Sequence, residues 1–401
     1  MTDFSGFGLP PALIETLTRM GYVTPTPVQM QAIPPALLGK DILGSAQTGT
    51  GKTAAFGIPM MVRLMNNPRG SALILTPTRE LATQVMSVLK SMLGPYNTIQ
   101  SALLIGGESM GPQFIQLKNR PRIIVGTPGR VNDHLERGTL MLHDTGFFVL
   151  DETDRMLDLG FAVQIERIAK FLPRTRQTLL FSATLPHNIL SLSEKYLTNP
   201  VRVSVGGESK PAENIEHSVV HVDNNDKFAL LLKELDSRSG TIIVFVKTKH
   251  GAERLALRLH QKRFSADAIH GDLKQSERDR VIADFRDKKH RIMVATDIAA
   301  RGLDIPHIEH VINYDLPQAP EDFIHRIGRT ARAGALGSAL SLITPEDALK
   351  WREIQQLINP GVNPPQPHRP SAQHSNGNGS KRRRPFRRRS HGQSQGNNAN
   401  V

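Results

Sequence analysis

The residues best placed to do chemistry are Ala46-Gln47-Thr48-Gly49-Thr50-Gly51-Lys52-Thr53. They follow a short apolar segment, Asp41-Ile42-Leu43, and open a helical pattern through Ala54–Leu64. Glycines at this spacing let backbone N–H groups turn toward phosphates, and the helix N-terminus adds positive potential. In such a loop Lys52 reaches the β- and γ-phosphates of a nucleotide, and the Thr53 hydroxyl ligates Mg²⁺. The general pattern has Gly where Ala46 stands, so the match is one residue short, and a Gly/Thr-rich loop before a helix is the plainer alternative. Further along, Phe147-Phe148-Val149-Leu150 runs straight into Asp151-Glu152-Thr153-Asp154. Alone, that acidic cluster reads as a solvated helix start. Beside a phosphate loop it reads as a Mg²⁺ and water-activation site, with Asp151 holding the ion through water and Glu152 polarising the attacking water. Near the other end, His325-Arg326-Ile327-Gly328-Arg329-Thr330-Ala331-Arg332 sets three arginines at spacings of three. They fit either a basic helix face or cationic donors to a transferring phosphoryl group.

These groups must be positioned by ordered elements. Apolar, β-rich runs recur at 72–75, 103–105, 123–125, 147–150 and 179–181, then at 242–245, 292–295, 311–313 and 340–343. Helical patterns lie between them, as at Thr83–Leu93, Ala252–Lys262 and Ser276–Asp287. Strand–helix repetition predicts an α/β fold of parallel sheets covered on both faces. The pattern breaks into turn formers at Gly206–Pro211, which divides the chain into two α/β domains.

The 401 residues carry +13 net charge, with 39% hydrophobic and 22% charged residues and no cysteine. Disulfides, Cys-ligated zinc and thiol catalysis are therefore excluded. No apolar run approaches the roughly 18 residues of a membrane span, and the N-terminus lacks a signal-peptide layout, so a cytoplasmic location is expected. Residues 361–401 hold eight basic and no acidic residues among Pro, Gln, Asn, Ser and Gly, leaving +5 for residues 1–360. With so little to bury, this tail is expected to be disordered. Its core, Lys381–Arg389, packs six arginines and a lysine around Pro385 and Phe386. That reads as a tether to RNA backbone, a localisation-type basic run or a solubilising tail being the alternatives.

Taken in order, the motifs resemble those of the DEAD-box RNA helicases of superfamily 2, over nearly all of residues 1–360. Gly21–Gln29 resembles the Q motif, with Phe4 seventeen residues upstream of Gly21. Ala46–Thr53 resembles motif I, which in this family begins with Ala. Pro77–Leu81, Gly106-Gly107 and Thr127–Arg130 resemble motif Ia, the glycine doublet and motif Ib. Asp151–Asp154 resembles the name motif and Ser182-Ala183-Thr184 motif III. Val244–Thr248, Gln275 with Arg278, Ala295–Asp304 and His325–Arg332 resemble motif IV, the QxxR element and motifs V and VI. Two positions depart: Thr153 replaces the usual Ala and Ala331 a more usual Gly, and neither change touches a charged group. The compact layout most resembles a bacterial RhlE-type helicase.

The resemblance implies two RecA-like domains in tandem, facing across a cleft: a Q-motif region over 1–30, an ATP-binding domain over 31–205, a linker over 206–216, a C-terminal domain over 217–360 and the basic tail over 361–401. It implies ATP and Mg²⁺ as cofactors. Gln29 would read the adenine edge, with Phe4 and Tyr22 about the base. Ala46, Gln47, Thr48, Gly49, Thr50, Gly51, Lys52 and Thr53 would cradle the phosphates, and Asp304 would hold the ribose. Arg329 and Arg332 would act as arginine fingers, and Asp154, Ser182, Thr184, His325 and Arg326 would couple the domains. Arg79, Gly107, Thr127, Arg130, Thr248, Gln275, Arg278 and Thr296 would line the path of RNA, single-stranded or short duplex. The implied activity is RNA-stimulated ATP hydrolysis coupled by cleft closure to local duplex separation, an RNA preference through 2′-hydroxyls being expected. An ATP-gated RNA clamp and a DNA translocase are the alternatives.

Overall fold

In the computed structural model the described residues are 3–46, 49–94, 98–205, 214–300, 305, 307–331 and 336–359. Residues 1–363 form one compact unit. It contains two sheets whose strands are parallel throughout. The first comprises β1 (Ile42–Ala46), β2 (Ser71–Leu75), β3 (Ser101–Leu104), β4 (Ile123–Gly126), β5 (Thr145–Leu150), β6 (Gln177–Ser182) and β7 (Val201–Val205), in spatial order β3-β4-β2-β5-β6-β1-β7. The second comprises β8 (Ile215–His221), β9 (Thr241–Phe245), β10 (Ala266–Ile269), β11 (Ile292–Ala295), β12 (Ile308–Asn313) and β13 (Gly337–Ile343), in order β10-β11-β9-β12-β13-β8.

Parallel strands buried on both faces should be apolar at every position, with alternate residues feeding opposite layers. β5 shows this: Phe147 and Val149 join one apolar cluster while Phe148 and Leu150 join another on the opposite face. In β9, Ile243 and Phe245 are likewise separated from Ile242 and Val244. The two halves also share a fastening. Arg122, just before β4, donates to the carbonyls of Leu64 (2.7 Å), Gly70 (2.9 Å) and Asn67. Arg291, just before β11, donates to those of Leu235 (2.8 Å), Gly240 (2.9 Å) and Arg238. In each half a guanidinium thus satisfies carbonyls at the end of a helix and in the loop that follows it.

Every apolar run named from the sequence is a strand. Three strands are additional. β7 has one fully buried residue, β8 alternates half-buried with exposed positions, and β10 is four residues of which two are small. Each is an edge strand and, unlike the edge strand β3 with its run at 103–105, it mixes polar or small residues with apolar ones instead of presenting a continuous apolar run. β8 begins at Ile215, inside the segment read as linker; residues 206–213 of that segment lie outside the described residues. Among the described residues no helix is long and apolar enough to cross a membrane.

Candidate nucleotide site and interdomain cleft

The first sheet reverses direction of winding around β1, β5 and β6, whose carboxyl ends lie side by side. Crevices at such switch points are where open α/β sheets bind ligands. The chain leaves β1 at Ala46 and enters the helix Lys52–Asn66 through Gly49 (φ 84°) and Gly51 (φ 93°). Gly51 is required twice over: its backbone is left-handed, and a Cβ there would strike the Gln29 side-chain amide. Lys52 is buried and its ammonium donates to the Ala46 carbonyl at 2.9 Å, folded across the loop it serves. Thr53 sits half-buried in the first helical turn. Gln47 and Thr48 lie outside the described residues.

Gln29, 1% exposed, holds this loop from behind. Its side-chain oxygen accepts from the Thr26 N–H at 3.0 Å, closing a capping box on the helix Pro27–Leu37. Its amide nitrogen donates to the Gly51 carbonyl at 3.1 Å. Phe4 is buried and packs edge-on to Tyr22, ring centroids 6.1 Å apart. Burial raises the Tyr22 phenol above its usual range.

At the end of β5 Asp151 and Glu152 are each 3% exposed. Burial pushes the Asp151 carboxyl up from 3.8 to about 6, against the opposing pull of Lys52. Glu152 has a left-handed backbone (φ 52°) at the start of the helix Thr153–Asp158. A non-glycine residue held there is strained, a feature that gathers at functional sites. Asp154 ties this turn to the end of β6, one carboxylate oxygen accepting from the N–H groups of Ala183 (2.9 Å) and Thr184 (3.2 Å). The Asp154 N–H donates to Ser182 Oγ at 3.3 Å. Thr153 is wholly buried, and its hydroxyl faces the carbonyls of Phe181 (3.1 Å) and Leu150 (3.3 Å) across β6 and β5. The departure from Ala is therefore a satisfied polar group inside the fold.

The second half contributes the helix Pro320–Ile327 and the residues after it. Arg326 is buried and engaged within its own half, bidentate to Asp297 (2.5 and 2.8 Å) and donating to Asn313 Oδ1 (3.2 Å) and the Asp315 carbonyl (2.5 Å). His325, Arg326 and Arg329 meet Arg155 of the first half around a small space. Asp304 and Arg332 lie outside the described residues.

A larger cavity, about 850 Å³, opens between the halves and is lined by Arg79 and Gly107 on one side and by Gln275 and Arg278 on the other. Four of the residues assigned to RNA thus share one space. Across it Arg79 donates to Gln275 Oε1 at 2.9 Å, and Arg278 grips Glu80 through two nitrogens at 2.8 and 2.6 Å. The Arg79 guanidinium occupies the place a Gly107 Cβ would take. Thr127, Arg130, Thr248 and Thr296 lie outside that lining. Thr127 and Thr248 start the helices Pro128–Glu136 and Lys249–Gln261, Arg130 donates to the Glu108 carbonyl at 3.1 Å, and Thr296 is half-buried beside the helix Asp297–Ala300. Glu80 and Arg155 escaped the sequence reading, although each is adjacent to a named motif residue.

The donor set also fits a nucleotide-bound Mg²⁺. Among the described residues no group of three or more His, Cys, Asp or Glu could hold a metal alone. Mg²⁺ commonly takes one or two protein ligands and completes its shell with phosphates and water. A buried carboxylate beside a phosphate loop, its ionised form disfavoured by burial, suits that arrangement.

A family model described as DEAD/DEAH box helicase matches residues 26–192, and one described as helicase conserved C-terminal domain matches residues 226–334. The chain is 44% identical over 359 residues to the DEAD-box ATP-dependent RNA helicase CshA of Geobacillus kaustophilus, covering 89% of this chain and 75% of that protein. It belongs to the DEAD-box helicase family. S. cerevisiae Dbp5 bound to RNA and ADP BeF3 superposes with a TM-score of 0.81 at 33% identity, over 90% of this chain and 94% of that one. A single-substitution variant of that protein bound to Nup159, a Gle1 variant, IP6 and ADP gives 0.60 at 33% identity, over 87% and 92%.

Two outcomes follow from the acidic turn. The folded pKa of Asp151 lies above its unfolded value, so its destabilising contribution is absent below pH 3.8 and complete above about pH 6. Asp151→Asn should therefore stabilise the ligand-free protein at pH 8 by up to roughly 3 kcal/mol, at about 1.4 kcal/mol per pKa unit, read as a higher melting temperature, with the gain shrinking toward pH 5. Thr153→Ala should cost about 1–2 kcal/mol of stability in a denaturant melt, through loss of the one hydroxyl proton shared between the Phe181 and Leu150 carbonyls, and leave kcat for ATP within about two-fold.

Proposed function

We propose that this chain is an RNA-stimulated ATPase that uses closure of its two halves to separate short RNA duplexes locally or to remodel RNA–protein complexes. The observation that carries this reading is that both candidate sites span the same interface. The nucleotide side sets Lys52, Asp151 and Glu152 of the first half beside a contact that includes Arg329 of the second. The cavity side joins Arg79 and Glu80 to Gln275 and Arg278. A ligand that contacts both halves stabilises their closed arrangement, so two such ligands bind cooperatively by linkage.

In this reading Gln29, Phe4 and Tyr22 receive the adenine, and Asp304 the ribose. The phosphate loop binds the triphosphate, and Lys52 moves from the Ala46 carbonyl to the β- and γ-phosphates. Asp151 and Thr53 would hold Mg²⁺, which supplies charge neutralisation on the phosphates. Glu152 orients and deprotonates the attacking water, and Arg329 with Arg332 stabilises the charge of the transferring group. The RNA strand runs through the cavity past Arg79, Gly107, Gln275 and Arg278, with Thr127, Arg130, Thr248 and Thr296 further along its path. The basic tail is a further RNA contact, and the location is cytoplasmic. An RhlE-type kinship stays part of this reading, beside a relative that bears the CshA name.

Steady-state ATPase with and without single-stranded RNA tests the core of it. Turnover should rise strongly with RNA and fall about 10²-fold or more in Glu152→Gln, the usual contribution of a general base. ATP-dependent RNA binding without turnover would mean a clamp, and stimulation by DNA with no response to RNA would overturn the substrate class. Truncation after Pro360 should weaken RNA binding and flatten its salt dependence while leaving turnover at saturating RNA nearly intact. Each phosphate that the tail no longer neutralises lowers the slope of log K against log salt by about 0.7 for a single strand. An unchanged slope would remove the tail from the RNA path.

A further inference from the structure

Arg155 lies one helical turn past Glu152, on the helix Thr153–Asp158, and its side chain is 1% exposed. Its Nε stands 3.4 Å from the Glu152 carboxylate, an ion pair longer than a good hydrogen bond. Its two terminal nitrogens, Nη1 and Nη2, are buried with no hydrogen-bond partner. A buried guanidinium with most of its donors unmet is rare and calls for a reason. The space beside it is small, about 10 Å³, close to what one water requires. Every other wall comes from the second half: Phe245, Asp297, Ala300, Asp322, His325, Arg326 and Arg329. The second half thus helps to keep Arg155 dry, while the charge paired with it is the carboxylate assigned to activate water.

We infer that Arg155 is a positioning residue that makes Glu152 competent only when the halves close. The inference rests on the role of Glu152 proposed above. With the halves apart, water reaches the guanidinium, weakens its field on Glu152 and frees it to turn away. With the halves together, the same ion pair acts in a dry pocket, where a charge interaction is several times stronger. It then holds the strained Glu152 turn in one orientation. Turnover becomes conditional on closure through this side chain, in addition to any arginine that reaches the phosphates.

The test uses the full chain with Arg155→Gln, Arg155→Lys and Arg155→Met, beside Glu152→Gln. Arg155→Gln should lower the RNA-stimulated kcat about ten-fold or more, with the KM for ATP and the half-saturating RNA concentration within about two-fold of the parent. Arg155→Lys should recover much of that loss by restoring the charge. Arg155→Met fills the same volume without charge and should behave as Arg155→Gln, which keeps the comparison intact if the Gln variant does not fold. A parental kcat in the Gln or Met variant would overturn the inference. So would equal losses in Lys, Gln and Met together with a raised KM and a lowered melting temperature, the pattern of a packing role. If Glu152→Gln itself turns over normally, the underlying role of Glu152 fails first. If that variant is inactive while Arg155→Gln is not, this inference alone fails.

Discussion

Two carboxylates, Asp151 and Glu152, stand at the end of a buried strand with almost no water around them. Charge in such a place is unstable unless something opposite lies near, and the surrounding elements supply it. The phosphate loop brings Lys52 to Asp151, and the turn after β5 brings Arg155 to Glu152. The left-handed backbone of Glu152 is held from both sides, by the Thr153 hydroxyl toward β6 and by Asp154 gripping the Ser182–Thr184 segment. Remove those ties and a strained, charged turn would relax into solvent. The sheet exists at this point to keep that turn dry and fixed.

The same logic extends to the second half. Arg326 spends its donors on Asp297, Asn313 and Asp315, which leaves it rigid. Its rigidity gives His325 and Arg329 a fixed base from which to face the first half. Coupling between the halves therefore does not need each motif residue to cross the interface. Some, like Arg326 and Asp154, make their own half stiff so that others can.

Much of this was legible in the residues. The inner strands declare themselves by unbroken apolar runs, because both of their faces are covered. The phosphate loop declares itself by glycines whose backbone angles only glycine adopts readily. The edge strands β7, β8 and β10 were not visible, since each mixes polar or small residues with apolar ones as loops do, whereas the edge strand β3 keeps an apolar run. Arg155 and Glu80 were missed for another reason. Their importance comes from what lies opposite in space, and no spacing along the chain carries that information. Gln29 was legible as a residue but not in its full duty, because its contact with Gly51 spans twenty-two positions.

That contact has a consequence for recognition. Gln29 already uses one lone pair on the Thr26 N–H and one N–H on the Gly51 carbonyl. An adenine edge would find the other N–H and the other lone pair, the complement that rejects guanine. In the proposed role, base recognition and phosphate-loop shape would rest on a single amide, held in one orientation by Thr26 and Gly51. The cavity between the halves works in the opposite sense. There Arg79 and Arg278 already have protein partners, Gln275 and Glu80, so a phosphate backbone entering the cavity would have to share or exchange them. A pre-set amide would favour one base at little reorganisation, whereas an RNA chain taken up by the proposed path would have to exchange partners that now tie the halves together. On the proposed roles, nucleotide selection and releasable RNA binding would both follow from where the hydrogen bonds already are.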